Sequence, residues 1–466
     1  LSHYSLSQDW VQLGSDIDGE AKLDFSGYSV SLSSDGTIVA IGAYGNDGNG
    51  LMSGHVRVYE WNSGSSSWVQ KGNDIDGEAA EDYSGYSLSL SSDGTIVAIG
   101  ATKNDGNGSD AGHVRVYEWD GSAWDKRGND IDGEAADDES GYSVSLSSDG
   151  TIVAIGAMLN DGNGFASGHV RVYEWDGSAW DKRGNDIDGE AVGDVSGSSV
   201  SLNSDGTIVA IGGYGNDGIG NNAGHVRVYK WNGAYWYKRG NDIDGEAPGD
   251  KSGNSVSLSS DGTIVAIGAY ENDGGGSLSG HVRVYEWNGS VWVQRGSDIN
   301  GEAVMDYSGG SVSLSSDGTI VAIGARSNDG GGDVSGHVRV YEWNSGTSSW
   351  VQRGSDIDGE AAYDYSAGRG SVSLNSDGTI VAIGSYYNDG GGDASGHVRV
   401  FEINIDSDGD GIIDSEDLCY LIPNGMIGHS LIDGKHHKTT DGGETWTKTN
   451  EDYTFDNISF INENSG

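Results

Sequence analysis

A seven-fold internal repeat constrains this chain more than any other feature. The heptapeptide Gly-Thr-Ile-Val-Ala-Ile-Gly begins at positions 56 to 60 residues apart, namely Gly36, Gly94, Gly150, Gly206, Gly262, Gly318 and Gly378. The segment His-Val-Arg-Val, followed by Tyr or Phe, also occurs seven times. A period near 56 exceeds that of helical repeats, about 33 to 47 residues, and suits one blade of a β-propeller.

Each repeat has the pattern of four short strands. In the first repeat, residues 29–32 and 55–61 alternate polar with apolar side chains, and residues 37–43 are an apolar, β-branched run. A fourth strand begins at Trp68. Because no helical period is present, the pattern predicts an all-β fold, a seven-bladed β-propeller of four-stranded antiparallel blades over residues 1–405.

The ends of the repeat array predict how the ring closes. The outer-strand signature Trp-x-x-x-Gly first occurs at Trp10, before the first blade, and the last blade ends at Ile403 without one. Residues 9–15 should therefore form the outer strand of blade seven, pairing near Val11 with residues near Val400. Closure of this kind protects edges that would otherwise template aggregation.

Composition excludes several classes of partner. The net charge of −47 repels nucleic acid and anionic lipid, so neither is expected to bind. No apolar run reaches 18 residues, which argues against membrane insertion. The single cysteine, Cys419, cannot form a disulfide within the chain. The first residues lack a signal-peptide layout, so we expect a mature product or a fragment.

Two acidic loops of each repeat should share one face of the propeller. The first repeat places Asp16, Asp18, Glu20 and Asp24 in one loop and Asp47 in the other. Two interpretations remain open. The acids either bind calcium, a hard cation that prefers oxygen ligands, or cap turns together with Asn and Gly.

Two other repeated features favour packing roles. A histidine begins every third strand, His55 in the first repeat, and a packing or hydrogen-bonding role is favoured over metal binding. Paired tryptophans such as Trp61 and Trp68 could stack on sugars, but packing between blades is favoured.

The repeat also resembles a known family. The phrase Ser-Gly-Tyr-Ser-Val-Ser-Leu, then Ile-Val-Ala-Ile-Gly-Ala and Gly-His-Val-Arg-Val-Tyr, is similar to the FG-GAP repeat of integrin α-subunit propellers over about 400 residues. The resemblance implies a propeller fold and, by analogy, an adhesive role. FG-GAP calcium loops are nonapeptides between the first two strands; here that hairpin is only Ser-Ser-Asp-Gly, so those sites do not transfer.

A calcium site is predicted directly after the propeller, in residues 406–419. Oxygen donors at loop positions 1, 3, 5, 7, 9 and 12, with Gly411 at position 6, match a calcium-binding loop. The pattern resembles a thrombospondin type-3 repeat. The predicted ligands are the side chains of Asp406, Asp408, Asp410, Asp414 and Asp417 and the carbonyl oxygen of Ile412.

Residues 420–466 form a third region. Residues 439–446, Thr-Thr-Asp-Gly-Gly-Glu-Thr-Trp, resemble an Asp-box, the structural hairpin turn of sialidase-type and photosystem-assembly-factor-like propellers. Residues 435–438 are interpreted as a solvated turn. Because one hairpin is marginal alone, this region should belong to a larger module or be completed by a partner, such as a second copy in a head-to-tail oligomer or filament.

No catalytic motif is present in the sequence. The predicted function is a non-enzymatic, secreted, extracellular or cell-surface structural or adhesion protein. It would be stabilised by calcium and would have a glycan or a surface protein as a candidate partner. The alternatives are a lectin-like propeller and, less favoured, a glycoside hydrolase. A loop that differed sharply from its siblings would indicate a single active site, and the uniformity of the repeats disfavours one.

Overall fold

The computed structural model describes residues 9–404 and the strands Gly428–Ile432, Lys435–Thr439 and Thr447–Lys448. These described residues contain only β-structure. The chain divides into two compact units. One contains residues 12–352 and 356–401, and the other contains 1–11, 353–355 and 402–466.

The propeller has seven blades, each built from four antiparallel strands. The first strands, nearest the axis, are Ser29–Leu32, Ser84–Leu90, Ser140–Leu146, Ser199–Leu202, Ser255–Leu258, Ser308–Leu314 and Val372–Leu374. The second strands are Ile38–Ala43, Ile96–Ala101, Ile152–Ala157, Ile208–Gly213, Ile264–Ala269, Ile320–Ala325 and Ile380–Ser385. The third strands are His55–Asn62, His113–Trp119, His169–Trp175, His225–Trp231, His281–Trp287, His337–Asn344 and His397–Asn404. The outer strands are Asp9–Gln12, Ser67–Gln70, Trp124–Lys126, Trp180–Lys182, Trp236–Lys238, Trp292–Gln294 and Ser349–Gln352.

A fifth, two-residue strand in each sheet was not predicted. It pairs with the start of the third strand, as Ile75 does with Val56 in blade one. These short strands are Ile17–Asp18, Ile75–Asp76, Ile131–Asp132, Ile187–Asp188, Ile243–Asp244, Ile299–Asn300 and Ile357–Asp358.

The hydrophobic core lies between neighbouring blades. Ile38 and Val56 of blade one, for example, pack with Leu88 and Val97 of blade two. The β-branched second strands are buried along their length because both faces of each sheet are covered. A single blade would leave these faces exposed, so the ring is the unit that buries them.

The predicted ring closure is confirmed. The strand Asp9–Gln12 lies beside the third strand of blade seven in the sheet order. The Leu13 N–H donates to the Val400 carbonyl at 2.7 Å, and Ile17 pairs with Val398. Blade seven therefore obtains its fourth strand from the start of the chain.

Hydrogen bonds between blades form a closed circle around the axis. A first-strand serine hydroxyl accepts the backbone N–H of a leucine in the next blade, at 2.9 to 3.1 Å. The serine–leucine pairs are Ser31–Leu90, Ser89–Leu146, Ser145–Leu202, Ser201–Leu258, Ser257–Leu314, Ser313–Leu374 and Ser373–Leu32. This circle explains why serine alternates with apolar residues in a strand that faces a crowded axis.

The three described strands after residue 427 form an antiparallel sheet. Lys435–Thr439 is its central strand, pairing with Gly428–Ile432 and with Thr447–Lys448. The interpretation of residues 435–438 as a solvated turn is therefore wrong. The Asp-box-like turn itself, residues 440–446, lies outside the described residues.

Candidate functional site

The two acidic loops share one face of the propeller, as predicted, and we call it the upper face. In the first repeat, the Asn46 side chain donates to the Asp24 carboxylate at 3.2 Å. Asp24 is only 3% exposed and also accepts the backbone N–H of Ala21. Asp47 accepts the N–H of Met52 at 2.8 Å. For these two carboxylates, the contacts support the turn-capping interpretation.

In the short hairpin between the first and second strands, the aspartate already accepts hydrogen bonds from neighbouring protein groups. Asp35 accepts hydrogen bonds from the backbone N–H and the hydroxyl of Thr37 and from the hydroxyl of Ser33. These bonds lower the pKa of Asp35, against the effect of burial, which alone would raise it. Gly36 follows with φ of +73°, the left-handed region that such a turn requires.

In each blade, the histidine and the arginine that begin the third strand contact the acidic loop before the first strand. We call these contacts the clamp; in the first repeat it consists of His55, Arg57, Asp18 and Glu20. The Arg57 guanidinium donates to the Asp18 carbonyl at 2.6 Å and lies 3.7 Å from the Glu20 carboxylate. His55 Nδ1 lies 4.0 Å from both Glu20 and Asp74. Burial, and then the charge of Arg57, lowers the pKa of His55 to about 4, so this histidine is neutral at pH 7.

The clamp brings together a histidine and two carboxylates in a group that could hold a metal ion, which the sequence reasoning missed. The carboxylates reach it from loops that lie 35 positions before and 19 positions after His55. However, the arginine of the same strand already places a positive charge beside the glutamate. We therefore assign the clamp the structural role predicted for the histidines.

The tryptophan pairs also pack between blades. The Trp61 and Trp68 rings lie 5.4 Å apart, and Trp68 Nε1 donates to the Leu13 carbonyl at 2.9 Å. A Cβ at Gly14 would lie 2.8 Å from the Trp61 ring, so the pair covers the backbone closely. The favoured packing role of the pair is thereby supported.

Three sets of residues that differ between repeats lie around the axis at the upper face. They form three rings, which together we call the axial funnel. The inner ring, within or shortly before the first strands, contains Tyr28, Tyr86, Tyr142, Ser198, Asn254, Gly310 and, in blade seven, Arg369 and Gly370. The middle ring, directly after the second strands, contains Tyr44, Thr102, Met158, Tyr214, Tyr270, Arg326 and Tyr386. The outer ring contains Phe25, Tyr83, Glu139, Val195, Lys251, Tyr307 and Tyr365.

The inner ring is strongly asymmetric. It borders a cavity of about 200 Å³, with tyrosines on blades one to three and small or amide side chains on blades four to six. The Tyr28 and Tyr86 rings lie 4.9 Å apart, and those of Tyr86 and Tyr142 lie 5.2 Å apart. Blade seven has two extra residues before its first strand, and this insertion carries Arg369.

Arg369 crosses the ring toward the opposite blades. Its guanidinium carbon lies 4.3 Å from the centre of the Tyr142 ring. The guanidinium donates hydrogen bonds to the Tyr142 hydroxyl and to the Ser198 carbonyl. A cation is thereby held against an aromatic face, a favourable arrangement.

The middle and outer rings extend this surface outward. Tyr44 stacks on Phe25 at 5.2 Å and meets the edge of Tyr28 at 4.6 Å. Across the funnel, the Arg326 guanidinium lies 5.7 Å from the Tyr270 ring and 5.2 Å from the Tyr307 ring. These aromatic and cationic side chains are mostly partly exposed, so they are accessible from the upper face.

The cations in the funnel, together with the adjacent Lys103, divide into two kinds. Lys103 and Lys251 form ion pairs, with Glu139 at 2.5 Å and with Glu271 at 2.8 Å. Within residues 9–404, neither Arg326 nor Arg369 has a carboxylate at ion-pair distance. Both arginines therefore retain charge that could face an anion.

The two arginines also act on a common neighbour. Burial is the main influence on Tyr28 and raises its pKa, while the charges of Arg369 and Arg326 act in the opposite direction. Both cations are thus close enough to the same inner-ring tyrosine to influence its ionisation.

All of the predicted calcium ligands lie outside the described residues, namely Asp406, Asp408, Asp410, Ile412, Asp414 and Asp417. The funnel, in contrast, was missed by the sequence reasoning. Aligning the seven repeats shows that the ring positions vary, but variable positions also occur in outer loops and outer strands, such as Leu51 and Val69, so the alignment alone does not identify the funnel. No helix in the described part of the chain is long and apolar enough to cross a membrane.

Comparisons with known proteins support the fold alone. No protein-family model matches this sequence, and no curated protein matches it either. Among solved structures, that of a "putative 6-phosphogluconolactonase" from Bacteroides uniformis superposes with a TM-score of 0.50 and 10% sequence identity. The match covers 71% of this chain and 85% of that one. At this identity, the likeness extends to the propeller architecture and no further.

Proposed function

We propose that this chain is a non-enzymatic, extracellular binding protein that recognises its ligand at the axial funnel. One observation carries the proposal. The repeats keep nearly all residues of the first three strands and of the clamps, yet they diverge at ring positions that meet at one end of the axis. Scaffold packing alone would favour the same residue in every blade, so this divergence supports recognition of an asymmetric ligand.

The side chains of the funnel favour binding over hydrolysis. Glycoside hydrolysis by the usual mechanisms requires two carboxyl groups that flank the bond to be cleaved. Among the ring positions of the described propeller, the only carboxylate is Glu139, and it is paired with Lys103. Aromatic faces with a few polar groups are typical of binding pockets.

The same proposal extends to calcium and to assembly. Calcium bound by residues 406–419 would neutralise five carboxylates that otherwise repel one another, and extracellular calcium is plentiful enough to fill such sites. Residues 420–466 would then join copies of the chain head to tail in a cell-surface array. Light scattering in calcium-containing buffer tests this extension. We expect the full chain to associate and a chain ending at residue 419 to be monomeric; two monomeric samples would contradict it.

A glycan array combined with a panel of hydrolase substrates tests the central proposal. We expect binding to a restricted set of glycans and no turnover of any substrate. Tyr86→Ala, in the inner ring, should reduce binding at least ten-fold. Tyr235→Ala is the matched control, because Tyr235 is 57% exposed on an outer hairpin away from the funnel.

Two results would overturn this proposal. Turnover of a substrate that Tyr86→Ala abolishes would make the funnel an active site. Glycan binding that survives Tyr86→Ala but is lost in Tyr235→Ala would move recognition to the outer hairpins.

A further inference from the structure

We propose that the axial funnel binds an acidic sugar residue end-on, with its ring against the inner-ring tyrosines and its anionic group on Arg369 and Arg326. The inference rests on the proposed function and deepens it by naming the class of ligand. It follows from the distribution of charge, the hydrogen-bonding capacity of the ring and the size of the cavity.

The distribution of charge indicates an anion. In a chain of net charge −47, an anionic ligand is repelled almost everywhere. Most arginines of the propeller are held in clamps or against the paired tryptophans, as Arg57 and Arg127 are. Arg326 and Arg369 are different because their neighbours are neutral tyrosines and a carbonyl. A local positive site inside a negative surface selects an anion that can reach it.

The hydrogen-bonding capacity of Arg369 leaves room for a ligand. A guanidinium group has five N–H donors in a planar fork that suits bidentate contact with a carboxylate. The structure gives Arg369 two acceptors, the Tyr142 hydroxyl and the Ser198 carbonyl. The remaining donors match a carboxylate or sulfate without requiring these two bonds to break.

The tyrosines and their polar neighbours favour a sugar as the body that carries this anion. A pyranose ring has an apolar face of C–H groups and an edge of hydroxyls. Tyr28, Tyr86 and Tyr142 offer aromatic faces together with hydroxyl groups, and Ser198 and Asn254 line the opposite side. Asn254 donates one N–H to the Gly310 carbonyl, so its second N–H remains for a ligand hydroxyl, which a purely aromatic carboxylate does not offer.

The size of the cavity limits how the ligand enters. Pockets for drug-sized ligands occupy roughly 300 to 1,000 Å³. At about 200 Å³, the axial cavity suits a single sugar residue. The ligand should therefore be the terminal residue of a glycan, or a free acidic sugar, rather than the interior of a polysaccharide.

Isothermal titration calorimetry of the full chain with glucuronate and glucose tests the inference, because these sugars differ only in the carboxylate. We expect glucuronate to bind at least ten-fold more tightly than glucose. Arg326→Gln and Arg369→Gln should each reduce glucuronate affinity about ten-fold, and each should lower the ratio of glucuronate affinity to glucose affinity. Lys230→Gln removes one exposed positive charge from a third strand, outside the funnel, and should change neither affinity. Because Arg369→Gln could disturb the ring, its melting temperature is compared with that of native protein; the partly exposed Arg326 provides the second variant.

The outcomes separate this inference from the proposed function. Equal binding of both sugars, lost in Tyr86→Ala, would leave the funnel as the binding site and overturn the acidic assignment. Benzoate or inorganic sulfate binding as tightly as glucuronate would show that an aromatic ring or an anion alone suffices, and would overturn the sugar. Glucuronate binding that Tyr86→Ala leaves intact would overturn both proposals. A glucuronate–oligosaccharide that binds more tightly than free glucuronate would identify a glycan end as the ligand, whereas equal affinity would identify a free sugar.

Discussion

Lowering the pH from 7 to 5 should destabilise the propeller through its buried histidines. His281 is 1% exposed, and burial first, then the charge of Arg283, lowers its pKa from 6.5 to about 4. A base with a lower pKa in the folded state binds its proton mainly when the chain is unfolded. Its contribution is therefore complete above pH 6.5 and is lost as the pH falls toward 4.

The magnitude follows from these two pKa values. Between pH 7 and pH 5, a histidine whose pKa moves from 6.5 to about 4 on folding costs about 2 kcal/mol of unfolding free energy. Five further third-strand histidines have pKa values lowered to about 4, namely His55, His113, His169, His337 and His397. Together these six would contribute on the order of 10 kcal/mol. Burial raises the pKa of Asp18 and Glu20 above their ordinary values of 3.8 and 4.5, which acts in the opposite sense and offsets part of this loss.

Denaturant titrations at pH 5 and pH 7 test this reasoning with His281→Asn. Between pH 7 and pH 5, the variant should lose about 2 kcal/mol less unfolding free energy than the native chain loses. The smaller side chain lowers the unfolding free energy equally at both pH values, so this effect cancels when the value at pH 5 is subtracted from the value at pH 7. If the variant and the native chain lose equal stability, or if NMR shows the His281 ring titrating near pH 6.5, the argument from burial fails.

Three further predictions concern single contacts and the linker. Gly94→Ala should cost about 2 to 4 kcal/mol, since its φ is +66° and its Cβ would lie 2.5 Å from an isoleucine of the neighbouring blade. Thermal melting against Gly193→Ala, with φ of +80° and open space around it, isolates the clash; equal losses would refute it. Ser145→Ala removes the acceptor of a backbone N–H in the next blade and should cost about 1 to 3 kcal/mol, whereas the exposed Ser109→Ala should stay within about 0.5 kcal/mol. EGTA should make residues 406–419 more sensitive to limited proteolysis and spare the propeller; equal resistance in calcium and EGTA would argue against a calcium site there.

The fold was predictable because its signals are local and repeated. Alternation in the strands, the turn at Gly36 and the count of seven together require a ring of blades. Even the pairing near Val400 could be predicted, since blade seven lacks an outer-strand signature after Ile403. The strand Lys435–Thr439 was mistaken for a turn because charged and imidazole side chains mask its pairing with neighbours.

The funnel was less accessible to sequence reasoning because it depends on geometry across blades. Tyr28 and Arg369 are 341 positions apart, and nothing local indicates that they lie near a common axis. The uniformity of the repeats also emphasised the residues that all seven blades share, which are those of the scaffold. The informative residues were those that differ, such as Arg326 at a position where Tyr44 stands in the first repeat.

The borrowed outer strand of blade seven has a consequence for synthesis of the chain. The hydrogen bond from Leu13 to Val400 cannot form until Val400 has been synthesised. At about 5 to 20 residues per second, a ribosome needs roughly 20 to 80 s to make the chain between the two residues. During that time the segment Asp9–Gln12 has no strand to pair with, because its partner His397–Asn404 has not been made. Every earlier third strand is already covered by its own hairpin partner, as His55–Asn62 is by Ser67–Gln70. Only the last blade to be synthesised has a third strand whose outer edge is unpaired. The N-terminal strand therefore has a single edge in the propeller at which it can pair.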